Sequence, residues 1–108
     1  MRAGPVAQFN AGEPGLGISA REYLAERKLI LTGADSWAVE AVGKGSGSEN
    51  PQPFECHIKL QTKRGIWDME NLNLSQLVAD KAYEFLFVWS PLKMKGATGS
   101  PGNPVALY

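Results

Sequence analysis

The segment that decides the fold lies at residues 54–70 and reads FECHIKLQTKRGIWDME. Helical spacing over residues 54–63 separates an inward face from a charged face, and Gly65 follows where a left-handed C-cap residue is favoured. Residues 66–69 then have the pattern of a short strand that ends beside Glu70. The sequence therefore predicts a helix followed by a strand. The predicted inward face of the helix contains Phe54, His57, Ile58 and Gln61.

A second helix and strand are predicted upstream of this segment. Ser19 and Glu22 have the spacing of a capping box, which predicts a helix from Ser19 to about Arg27. The apolar residues 29–31 then predict a short buried strand that ends at Gly33. Residues 43–53 are rich in Gly, Ser, Asn and Pro, which indicates an irregular surface connection.

The downstream third of the sequence is dominated by strand signals. One helical turn is predicted from Ser75, and the aromatic and β-branched run at 83–89 predicts a strand of central-sheet character. Residues 105–107 predict a last strand. The elements together predict an α/β fold with a mixed sheet that has unprotected edges, so we expect something else to complete it.

Length and composition exclude several classes of protein. With 108 residues and 44% hydrophobic content, the chain can bury one modest core, which predicts a single domain. Eleven basic residues balance eleven acidic ones, which argues against a nucleic-acid partner. No apolar run approaches the roughly 20 residues needed to cross a bilayer, and no secretory signal is visible, so we expect a cytoplasmic protein without a membrane partner.

The candidates for chemistry are few, because the chain contains one histidine and one cysteine. Sites that need two imidazoles from this chain are excluded, and Cys56 has neither a disulfide partner nor a neighbour of catalytic spacing. His57 and Glu70 would converge if the strand returns alongside the helix. From spacing alone, His57 is by default a hydrogen-bonded core residue, and Glu70 a carboxylate that accepts backbone donors at a strand end.

Three further residues are candidates for a substrate pocket. Asp35 and Trp37 follow the first strand, where α/β folds often place functional groups, although Asp35 could equally form an Asx turn and Trp37 could serve packing. Ser100 lies in a Gly-rich stretch whose backbone N–H groups suit an oxyanion, but an ordinary turn is the simpler interpretation.

Several strings of residues, taken in order, resemble the C-terminal half of the cyclase-family metal-dependent hydrolases, the family that includes kynurenine formamidase. The resemblance covers nearly the whole chain. The strings are GEPGLG at 12–17, YLAER at 23–27, GADSW at 33–37, GI at 65–66, ENL at 70–72, PL at 91–92 and GATGSPGNP at 96–104.

The resemblance implies a swivelling β/β/α fold, assembly into homo-oligomers, and hydrolysis of a formamide or cyclic amide bond with zinc or manganese. His57 and Glu70 match the helix histidine and the strand-end glutamate that complete the family's metal site or act on its water. A metal in such a site lowers the pKa of its bound water so that hydroxide attacks the carbonyl. Asp35, Trp37 and Ser100 would then line the pocket that holds the small-molecule amide, as in the arylformamidase step of tryptophan catabolism.

The sequence departs from the family in one respect. Family members carry an upstream His-x-Gly-Thr-His-x-Asp-x-Pro segment whose side chains hold the first metal, and nothing in these 108 residues corresponds to it. The resemblance therefore implies that residues 1–108 are the C-terminal portion of one cyclase-family domain, with the remaining ligands supplied by a complementary half. Two alternatives stay open, namely a non-catalytic interaction module with exposed sheet edges and a truncated fragment without activity.

Overall fold

The computed structural model describes residues 5–9, 11–43 and 54–108, so the predicted connection at 43–53 lies almost wholly outside the described residues. The chain divides into two units, Met1–Asn73 and Leu74–Tyr108. In the first unit the elements are α1 (Pro5–Phe9), β1 (Gly12–Glu13), α2 (Ile18–Glu26), β2 (Leu31–Gly33), β3 (Val42–Gly43), a π-helix (His57–Thr62) and β4 (Trp67–Met69). The second unit contains α3 (Ser75–Ala79), β5 (Leu86–Val88) and β6 (Val105–Leu107).

The parallel pairing of β2 with β4 organises the first unit. Leu31 lies opposite Trp67 and Gly33 opposite Met69. Backbone hydrogen bonds continue beyond the strands, because Asn71 N–H donates to Ser36 O at 2.8 Å. The strand predicted at 29–31 is thus found two residues later. The reason is local: Lys28 has a φ of 56°, so the chain reverses direction after α2 before it can enter the sheet.

The predicted capping box at the start of α2 is wrong. The helix begins at Ile18 with Gly17 at the N-cap, and no side chain caps it. Ser19 therefore lies inside the first turn, where its hydroxyl is not at the N-cap position that a capping box requires. The backbone of Arg21 instead donates to Gly17 O at 3.1 Å.

The helix at residues 55–64 is confirmed, but its predicted inward face is wrong. The buried core contains Cys56, Leu60 and Ile66, whereas Ile58 is exposed. Cys56 and Leu60 lie four positions apart and therefore share one side of the helix. Leu16, Ala25 and Leu29 pack against that side, so tertiary packing selects it as the buried face. Within this helix, His57–Thr62 forms π-helix. Gly65, with a φ of 67°, adopts the predicted left-handed conformation.

Gly15 lies against the backbone at Glu40, beside the isolated parallel bridge between Leu16 and Glu40. A Cβ atom at Gly15 would come within 2.4 Å of the Glu40 carbonyl carbon and 2.6 Å of Val39 O. Backbone atoms cannot rotate away, so we expect Gly15→Ala to lower the free energy of unfolding by about 1–3 kcal/mol.

The measurement for Gly15→Ala is urea denaturation. The matched control is Gly99→Ala, since a Cβ atom at Gly99 meets no atom within 4 Å. We expect the control to change stability by less than about 0.5 kcal/mol. Equal effects of the two substitutions would contradict the close approach at Gly15.

The second unit is built on the antiparallel pair β5–β6, with Phe87 opposite Ala106. The helical turn from Ser75 and the strand at 105–107 are confirmed. The prediction of a central strand at 83–89 is wrong, because β5 is shorter, pairs with β6 alone among the described residues, and has exposed side chains. Aromatic and β-branched residues favour extended backbone whether or not a sheet covers them.

The observed architecture is mixed α/β, as predicted. Within the ranges that the structure describes, the strands form three separate two-stranded pairs, two in the first unit and one in the second. In these ranges, none of the helices combines the length and the apolar character needed to cross a bilayer.

Candidate functional site

His57 lies between two carboxylates at the start of the π-helix. Its Nδ1 is 3.3 Å from Glu40 Oε1, and its Nε2 is 3.5 Å from Glu70 Oε1. Glu70 reaches this position because it directly follows β4, which returns alongside the helix. The sequence-predicted pair of His57 and Glu70 is therefore brought together, with both side chains about one-third exposed. Glu40 is an additional member that the sequence interpretation did not include.

Glu40 is a buried carboxylate that contacts both the imidazole of His57 and the backbone of Cys56. Its side chain is 1% exposed, and its Oε1 also accepts the backbone N–H of Cys56 at 3.2 Å. Its Oε2 is buried without a hydrogen-bond partner among the described residues. A buried carboxylate needs compensating donors, so the arrangement ties Glu40 to the helix that carries His57. A sequence signal exists in hindsight, since Glu40 is a lone charge within the otherwise apolar run AVEAV at 38–42.

Asp68 adds a further carboxylate near the site. Burial raises the pKa of the Asp68 carboxyl group, while His57 and a hydrogen bond from Gln61 oppose that rise. Gln61 Nε2 donates to Asp68 Oδ2 at 3.2 Å. Asp68 therefore belongs to the acidic surroundings of the imidazole, with which it interacts electrostatically.

Cys56 is adjacent to the site but is not a candidate nucleophile. Its side chain is fully buried, and burial raises the pKa of the thiol to about 12. The reactive form of cysteine is the thiolate, so this side chain acts as a small packed group. The structure agrees with the low weight that the sequence gives to a catalytic role for Cys56.

Trp37 is linked to the site through aromatic contacts. The ring of Phe54 lies edge-on to His57 with centroids 5.6 Å apart, and Trp37 lies 6.5 Å from Phe54. The Trp37 indole N–H donates to the carbonyl of Phe9 at 3.0 Å, which fixes the far side of the ring. Phe54 therefore gives one side of the imidazole an apolar border, and Trp37 lies against Phe54.

The other two predicted pocket residues are Asp35 and Ser100. Asp35 is exposed in the turn after β2. Ser100 lies in the second unit, where its Oγ accepts the backbone N–H of Leu92 at 3.2 Å. In the structure Ser100 therefore stabilises a local turn, which is the simpler of its two sequence interpretations.

The donors at His57 fit a divalent metal in kind and spacing but not in number. Two ligands of a tetrahedral zinc ion are separated by roughly 3.4 Å, which is close to the 3.5 Å between His57 Nε2 and Glu70 Oε1. Stable zinc sites have three or four protein ligands. Across the described residues, however, no group of three His, Cys, Asp or Glu side chains has the arrangement of a metal site. The described part of the chain does not build a complete metal centre.

Comparisons of the chain with protein-family models, with curated proteins and with solved structures found no match.

Proposed function

We propose that this chain contributes His57 and Glu70 to a metal-dependent amide hydrolase of the cyclase family, as the C-terminal portion of its swivelling β/β/α domain. The observation that carries the proposal is the 3.5 Å approach of an imidazole nitrogen to a carboxylate oxygen at a strand end. The resemblance of the sequence strings to the family supports it. Zinc or manganese is the proposed cofactor, and a formamide or cyclic amide is the proposed substrate.

In this proposal, each side chain has a distinct task. His57 provides Nε2 as a ligand or as the group that moves a proton at the attacking water, and Glu70 provides a second ligand or orients that water. The ring of Phe54, with Trp37 beside it, forms an apolar wall next to the imidazole. The metal, when bound, supplies a hydroxide at neutral pH by lowering the pKa of its water. The remaining ligands come from a two-histidine and aspartate segment outside these 108 residues.

The test is complementation. The full chain is co-expressed with the upstream portion of a cyclase-family hydrolase that carries the His-x-Gly-Thr-His-x-Asp-x-Pro segment. Bound zinc and manganese are then measured, together with hydrolysis of N-formylkynurenine and of simple cyclic amides. We expect the complex to retain metal and to hydrolyse an amide, whereas the isolated chain binds either metal more weakly than about 1 μM because it lacks ligands.

The upstream portion alone is the control for complementation. A purified complex that holds no more metal than this control and hydrolyses none of the amides would overturn the proposal. Submicromolar metal binding by the isolated chain would show that this chain alone has enough ligands for a stable metal site.

A second candidate, a non-catalytic interaction module, is favoured by the exposed pair β5–β6. Leu86, Val88 and Leu107 all have exposed apolar side chains there. Open strand edges with apolar faces favour pairing with a second copy or another protein. Sedimentation of the isolated chain as an oligomer, combined with a complementation experiment that yields no hydrolysis, would favour this candidate over the enzyme.

A further inference from the structure

We infer that Glu40 is a positioning residue that holds the proton of the neutral His57 ring on Nδ1, so that the lone pair of Nε2 points toward Glu70. The inference rests on the proposed function, in which Nε2 is the nitrogen that meets the metal. It adds two things to that function. Glu40, which has no counterpart in the sequence resemblance, receives a role, and the tautomer of His57 is specified.

The neutral imidazole has one proton for two nitrogens. A neutral imidazole has one N–H and one acceptor nitrogen, but here both nitrogens face carboxylate oxygens, at 3.3 Å for Glu40 and 3.5 Å for Glu70. Only one of the two carboxylates can receive the hydrogen bond. The other must face a lone pair, which is unfavourable unless a cation or water lies between them.

Burial decides which carboxylate receives the proton. Glu40 is 1% exposed and cannot replace a lost donor with bulk water, whereas Glu70 is 30% exposed and can. Losing one donor costs a buried carboxylate far more than an exposed one, and Glu40 already has its Oε2 without a hydrogen-bond partner among the described residues. The contact from Nδ1 to Glu40 also satisfies the criteria of a hydrogen bond. The N–H is therefore expected on Nδ1.

The position of Glu40 strengthens this preference. Its Oε1 accepts the N–H of Cys56, the residue immediately before His57, so the acceptor is tied to the turn that carries the ring. Metal-bound histidines are commonly oriented by a carboxylate on the nitrogen opposite the metal, which fixes the tautomer. With the proton on Nδ1, the lone pair of Nε2 faces Glu70 Oε1, and the 3.5 Å between these two atoms suits a cation bound by both.

The tautomer can be read directly, because His57 is the single histidine of the chain. The full chain is prepared metal-free with ¹⁵N-labelled histidine, and long-range ¹H–¹⁵N correlation spectra are recorded in alkaline buffer. We expect the wild type to show the Nδ1–H tautomer. Glu40→Met removes the acceptor and should reverse the pattern to Nε2–H, whereas Glu40→Gln retains an amide oxygen and should preserve Nδ1–H.

A control variant addresses the competing carboxylate, and backbone amide spectra verify that each variant is folded. Glu70→Gln should leave the Nδ1–H tautomer in place. The inference is overturned if the wild type shows Nε2–H, a tautomer mixture or a ring that stays doubly protonated, or if folded Glu40→Met is unchanged. It is also overturned if Glu70→Gln alone reverses the tautomer. If Glu40→Met does not fold, the tautomers observed in the wild type and in Glu70→Gln still test the inference.

The outcome is independent of the complementation experiment, since it needs neither metal nor activity. An Nδ1–H tautomer without hydrolysis by the complemented complex would remove the enzyme proposal and leave the role of Glu40 intact. Hydrolysis together with an Nε2–H tautomer would remove the role of Glu40 alone.

Discussion

Substitution of His57 by alanine should reduce amide hydrolysis by the complemented complex by at least about 100-fold and should also reduce its bound metal. The reason is that substitution of even an outer-shell partner lowers metal affinity or activity by roughly 10–100-fold, and loss of a direct ligand should lower them further. The side chain is about one-third exposed and lies outside the buried core cluster, so assembly should survive. Metal content, sedimentation and initial rates of N-formylkynurenine hydrolysis measure the three expectations.

Glu70→Gln is the companion variant. It retains the shape of the side chain but removes the negative charge that a dication needs, so metal retention and rate should fall together. The matched control is Lys63→Ala, because Lys63 is exposed on the same helix. If the wild-type complex binds metal and turns over substrate while both site variants match it, His57 is a core histidine and the proposed site is wrong.

The second large effect concerns stability. Leu60 is 0% exposed and Ile58 is 49% exposed, although the two side chains are isomers on the same helix. We expect Leu60→Ala to lower the free energy of unfolding by about 2–5 kcal/mol, because it leaves a cavity beside Cys56 and Ile66. Ile58→Ala should cost less than about 1 kcal/mol, since alanine also has the higher helix propensity.

Urea denaturation followed by tryptophan fluorescence and circular dichroism compares these two variants. The midpoint should move far more for Leu60→Ala than for Ile58→Ala, with a similar slope for both. The opposite order would mean that Ile58, and not Leu60, faces the core of the protein.

The existence of the main elements was predictable because it depends on local chemistry. Gly65 can adopt a positive φ without steric cost, and this conformation ends the helix where the sequence indicates. The approach of Glu70 to His57 was conditional on the return of the strand, and the pairing of β2 with β4 provides that return. The sequence pattern alone does not specify this pairing, because it joins residues that are far apart in the chain.

The errors have different physical origins. A helical wheel gives the relative positions of side chains but not which face is buried, so it misplaced Ile58 and Cys56 because the face that Leu16, Ala25 and Leu29 cover is set by tertiary packing. Glu40 was missed because a single acidic residue in an apolar run is equally compatible with a solvent-facing position on a strand. Its role depends on Cys56 and His57, which follow after sixteen and seventeen positions, and no local pattern contains that information.

The π-helix has a consequence for how this site is aligned with relatives. A π turn accommodates about one more residue than an α turn over the same part of a helix. Glu70 follows His57 by thirteen positions, and one of these is absorbed by the widened turn. A homologous site on an ordinary α-helix would therefore need about twelve positions, and an ungapped alignment would match its glutamate to Met69 instead of Glu70.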